Sequence, residues 1–139
     1  MMLANTNFYL EEPILSWVIL IARVCLCAVF LVSGIHKAMF YAKAELEFRR
    51  ESVPWLHVLL PMTIILHLIA SVGLLTGIWM RESALALAFF TLLATCKVAN
   101  FWAAPAPEQL AQSRMALANL AVIGGLILLA AVGPGRLVL

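Results

Sequence analysis

Three ionisable side chains stand inside long apolar runs of this sequence: Arg23, His67 and Lys97. Asn100 and Asn119 add amides to the same stretches. A guanidinium or ammonium there can donate to a carbonyl or stabilise an anion, and an imidazole can carry a proton near neutral pH. A charge at the centre of a bilayer costs about 2.5–3.5 kcal/mol on insertion scales, so such residues face a bundle interior or a cavity. At about 1.5 Å of rise per residue, Arg23 falls about 13 Å in from the side where its segment starts. His67, Lys97 and Asn119 fall about 20 Å from that same side. Four polar groups from four segments are therefore expected to meet in the middle third. The competing reading has Arg23 and Lys97 snorkelling or bonding helix-end carbonyls, Asn119 joining two helices, and His67 packed as a core histidine.

Other reactive types are less suggestive. Paired transmembrane imidazoles hold haem in many proteins, but His36 and His67 do not share a depth, and no motif supports His57 with His36. Haem is therefore not expected. No His or Cys pair stands at ligand spacing beside a carboxylate, so no metal is expected either. Cys25 and Cys27 point to different sides of one helix and Cys96 lies on another. Buried thiols of this kind behave as small hydrophobes.

The elements that position these groups follow from composition. Of 139 residues, 65% are hydrophobic and 12% charged, against about 45–50% and about 25% in soluble domains. A chain this short cannot hide so much apolar surface from water. The spacing predicts an all-α integral membrane protein, a four-helix transmembrane bundle forming one domain over residues 1–139, with helices near 14–40, 57–80, 83–104 and 114–132. Nothing alternates with period two and the runs are about twice the length of a barrel strand, which disfavours a β-barrel. A net charge of +2 excludes a nucleic-acid binder.

One stripe of the first helix joins Arg23, Cys27, Phe30, Gly34 and Lys37 at i+3 and i+4 spacing, as an inward face with a close approach at Gly34 requires. Gly73 and Gly77 in the second helix, and Gly124 and Gly125 in the fourth, are expected to let helices pack closely. Trp17 and Trp79 mark one membrane boundary; Trp55 and Phe101-Trp102 mark the other. Residues 41–53, YAKAELEFRRESV, either prolong the first helix or lie on the surface as a short amphipathic segment, and Pro54 ends them. Lys37, Lys43, Arg49, Arg50 and Arg114 lie on one side, with only Arg81 and Arg136 opposite. The positive-inside rule then puts the first loop in the cytoplasm and both termini outside. No cleavable signal peptide is visible at the N-terminus.

In order and spacing these landmarks resemble the DoxX family of small four-helix membrane proteins. RVCLCAVFLVSGIHKAMF matches the family's opening pattern through Arg23, Phe30-Leu31, Ser33-Gly34 and Lys37. Val53-Pro54, the Gly73-Leu74-Leu75-Thr76-Gly77 run followed by Arg81, Phe101-Trp102, and Asn119 with Gly124-Gly125 and Gly133-Pro134-Gly135 continue it. The chain departs from the pattern at His67, where many members carry Glu, at Ala99, where some carry His, and in its Arg136-Leu137-Val138-Leu139 end. Replacing Glu by His keeps a titratable group and inverts its charge.

The resemblance implies a bacterial inner-membrane protein in a redox or quinone-linked setting, such as sulfur oxidation or oxidative and thiol stress. It admits a quinone as ligand, bound in an intramembrane cavity lined by Arg23, His67, Lys97, Asn100 and Asn119, and redox-complex subunits as partners beside the lipid bilayer. Whether the chain catalyses a reaction itself stays open. The alternative is a non-catalytic structural or assembly subunit, alone or as a homo-oligomer. A small-solute transporter fits less well, because the spans show no inverted repeat.

Overall fold

The computed structural model describes residues 12–98 and 105–137, all helix and connecting turn. Five helices follow in order: α1 Glu12–Met39, α2 Tyr41–Arg50, α3 Leu56–Thr76, α4 Met80–Val98 and α5 Ala106–Val132. Three of them, over Pro13–Met39, Leu56–Thr76 and Ala106–Val132, are long and apolar enough to cross a membrane. The chain is therefore an all-α membrane protein. The shorter α4 carries Arg81 and Glu82 in its first turns and Lys97 in its last.

Neighbours in sequence are neighbours in space. α1 packs along α3, α3 against α4 and α4 against α5, while a thinner α1–α5 contact closes the ring. Apolar side chains fill the centre, among them Ile19, Cys27, Phe30, Ala70, Leu74, Ala84, Leu87, Leu126 and Leu129. Large apolar residues also cover the outside, including Ile21, Val32, Ile69, Phe89, Leu117 and Leu128. A water-soluble bundle would hide that surface; a bilayer solvates it. Trp55 (81% exposed) and Trp79 (77% exposed) stand clear at opposite ends of α3.

Hydroxyls inside the helices bond to their own backbone. Thr63, Ser71, Thr91 and Thr95 each donate to the carbonyl four residues back, at Leu59, His67, Leu87 and Thr91. A membrane helix can carry such residues because the bond leaves no polar group to the lipid.

The helix limits differ from the pattern-based ones in three places. Residues 41–50 form the separate helix α2, resting on α1 and α3, and its polar periodicity suits a surface position. α3 stops at Thr76 and not near Met80, because Gly77 takes a left-handed conformation (φ 83°) and caps it. α5 starts at Ala106, eight residues early, because Pro107 is compatible with a first helical turn and Glu108 favours one. The third predicted helix runs past Val98, where residues 99–104 lie outside the described residues.

Candidate functional site

The inward stripe of α1 carries the site. Arg23, Cys27, Phe30 and Gly34 are buried and Lys37 is half-buried, while Val24, Val29 and Val32 between them are exposed. Successive turns of one helix thus deliver a guanidinium, a thiol, a ring, a gap and an ammonium to the interior.

At the Arg23 end the chemistry is that of a lock. Arg23 has no exposed surface. Its Nε donates to Leu74 O at 2.8 Å, Nη1 to Pro134 O at 3.1 Å and also to Leu137 O, and Nη2 to Leu75 O. Four of its five N–H donors are thereby taken. Leu74 and Leu75 lie in the last turn of α3, whose carbonyls have no partner within the helix. Gly77 is required here twice, for its positive φ and because a Cβ would stand 2.9 Å from Arg23 Nη2. The chain after α5 folds back over this end: Gly133 (φ 91°) and Gly135 (φ 72°) turn it, and Arg136 N–H reaches Ser16 Oγ at 3.5 Å.

One turn further along, Cys27 Sγ donates to Ser71 O at 3.3 Å, and Ser71 Oγ donates to His67 O. His67 itself is 4% exposed and lies between two rings, Phe30 at 5.5 Å and Phe90 at 5.1 Å edge-on. Gly34 makes room for it, since a Cβ there would be 3.0 Å from His67 Cβ. Neither Nδ1 nor Nε2 finds a hydrogen-bond partner among the described residues. Leaving a buried polar group unpaired costs about 1–3 kcal/mol. Such a group in a native core calls for an explanation. Beyond it, Lys37 Nζ donates to Ser33 Oγ at 2.5 Å and stands within electrostatic reach of both His67 and Glu47.

The other sequence candidates go elsewhere. Asn119 donates through Nδ2 to Thr95 Oγ1 at 2.9 Å, a link between α5 and α4. Thr95 also lines a groove of about 400 Å3 with Leu92, Ser113, Ala116, Leu117, Leu120 and Ile123. Lys97 is exposed in the last turn of α4, and Asn100 lies outside the described residues. The four polar groups expected to meet in the middle third therefore occupy separate places. The reason is the early end of α3: its free carbonyls sit level with Arg23 and draw the guanidinium to one end of the bundle.

Among the glycines, Gly73 lies tight against Ser83 across the α3–α4 turn, and Gly125 faces Leu26 of α1. Gly124 faces open space, with nothing within 4 Å of a Cβ built there. Sequence reasoning did not single out Ser71, Thr95 or Phe90. The i−4 spacing of Ser71 from His67, and of Thr95 from Thr91, was the available signal for the first two.

Residues 18–103 match the family model described as DoxX. The chain is also 32% identical over 117 residues, 84% of its length and 85% of the relative's, to a protein of Escherichia coli (strain K12) named "Inner membrane protein YqjF". No solved structure matches.

Proposed function

The chain belongs to the DoxX family, and from that premise we propose that it is a small inner-membrane subunit of a redox or quinone-linked system whose polar contact with a quinone is His67. The relative's inner-membrane name supports the location. In this reading α4 is a fourth span, its charges held at its two ends. The basic side of α2 faces the cytoplasm, and residues 12 and 137 lie on the other face.

The observation that carries the reading is the pair of unpartnered nitrogens on a ring that is 4% exposed. A neutral imidazole offers one donor and one acceptor. Those two suit the carbonyl of a quinone and the hydroxyl of a quinol, and the rings of Phe30 and Phe90 supply a flat apolar surround. Arg23 has little to offer such a ligand, because its donors are spent on carbonyls.

The test is thermal unfolding of the detergent-solubilised protein with and without a short-tailed ubiquinone analogue. His67→Phe fills the same space with a ring that has no unpaired nitrogens. The wild type is expected to gain Tm with the quinone and His67→Phe to gain none, while the ligand-free variant is as stable as the wild type or more so. An equal quinone shift in both proteins would overturn the role of His67.

The second reading, a non-catalytic assembly subunit, draws on Arg23 as a structural lock and on the open α4–α5 groove. It predicts a stably co-purified partner and no quinone shift in either protein.

A further inference from the structure

A second polar site lies at the other end of the α1 stripe, where α1 meets α2. It is a cavity of about 280 Å3, near the small end of the range for ligand pockets. Its floor holds Lys37, whose Nζ spends one donor on Ser33 Oγ and keeps two. Lys43 and Glu47 reach it from successive turns of α2, and His36, its ring tilted against Phe40 at 4.9 Å, closes one edge. Two ammonium groups against one carboxylate leave the cavity net positive. The remaining wall is apolar: Val29, Val32 and Phe40 are all at least half exposed, and Val32 and Val29 continue from the cavity along the outside of α1.

We propose that this cavity binds the phosphate headgroup of an anionic phospholipid, with one acyl chain lying along Val29 and Val32. The shape argues for an amphiphile over a free ion. A basic head sits at the mouth, where the helix leaves its apolar span, and an apolar track leads from it into the hydrocarbon. Basic pockets between helices at the cytoplasmic surface are suited to anionic headgroups, and each nearby Lys contributes about 1 kcal/mol, or about fivefold in affinity. His67 does not line this cavity, so its test is separate from that of the quinone reading.

The experiment titrates the detergent-solubilised full chain with phosphatidylglycerol, phosphatidylcholine or inorganic phosphate and follows Tm. Phosphatidylglycerol is expected to stabilise the protein, and the other two to have little effect. Lys43→Gln, on the exposed side of α2, leaves folding alone and is expected to raise the half-saturating phosphatidylglycerol concentration about fivefold. Lys37→Gln with Lys43→Gln is expected to raise it about twenty-five-fold, and Glu47→Gln to lower it. His67→Phe is expected to keep the full phosphatidylglycerol response. Equal stabilisation by phosphatidylcholine, or an unchanged titration in Lys43→Gln, would overturn the site. Displacement of phosphatidylglycerol by millimolar phosphate would overturn the lipid as its ligand.

Discussion

Arg23 and His67 lie on the same interior surface and show opposite uses of a buried polar side chain. Arg23 meets carbonyls that α3 and the returning chain cannot satisfy themselves, so both sides of the contact gain. His67 meets rings and a glycine, and its nitrogens gain nothing from the protein. Removing Arg23 should therefore damage the fold, and removing His67 should not. Arg23→Met is expected to cost about 3 kcal/mol, because buried carbonyls lose a charged donor. Arg23→Lys is expected to recover only part of this, since one ammonium cannot span the carbonyls that a forked guanidinium reaches. Chemical or thermal unfolding in detergent checks both. A wild-type Tm in Arg23→Met, together with a lost quinone response, would return Arg23 to the ligand site. The sequence marked both residues as interior, because an ionisable group in an apolar run has few other places to go. It did not mark which would be satisfied, because the partners of Arg23 are backbone carbonyls 51 to 114 residues away, which no side-chain pattern records.

At the level of single helices, periodicity was informative wherever a helix had one interior face. The α1 stripe from Arg23 to Gly34 was legible for that reason, since every third or fourth position faces the same neighbour, α3. The glycines of α5 were not separable by sequence, because adjacent positions on a helix point about 100° apart. Gly125 meets Leu26, and Gly124 meets nothing within 4 Å. Paired substitutions measure the difference. Gly34→Ala is expected to lower Tm, because its methyl would press on His67 Cβ at 3.0 Å and on Leu68. Gly124→Ala is expected to leave stability within about 0.5 kcal/mol of the wild type. A loss at Gly124 equal to that at Gly34 would mean that another helix covers α5. Helix ends were the least legible feature. Gly77 stops α3 while Trp79 is still on a left-handed turn (φ 51°), and Pro107 starts α5 although the same residue ends helices elsewhere.

For the molecule as a whole, the number of crossings decides how the polar sites face the two compartments. Three helices are long and apolar enough to cross, and α4 carries its charges at its ends, with Arg81 and Glu82 at one and Lys97 at the other. Between them, Ser83 to Cys96 contains no charge, so a crossing would leave each charge within reach of a headgroup layer. Four crossings put the α1–α2 cavity and the start of α5 on the same side, with the α3–α4 turn opposite. Single cysteines at exposed or half-buried polar sites, in a background without Cys25, Cys27 and Cys96, read this directly with a membrane-impermeant maleimide on intact cells. Glu82→Cys, beside the α3–α4 turn, is expected to react. Glu45→Cys on α2 and Glu108→Cys at the start of α5 are expected to react only after permeabilisation, because the positive-inside rule assigns the side of Lys43, Arg49, Arg50 and Arg114 to the cytoplasm. Reaction of Glu82→Cys and Glu108→Cys from the same side would show that α4 turns back without crossing. The α1–α2 cavity and the start of α5 would then face different compartments, and the anionic cytoplasmic leaflet could serve only one of them.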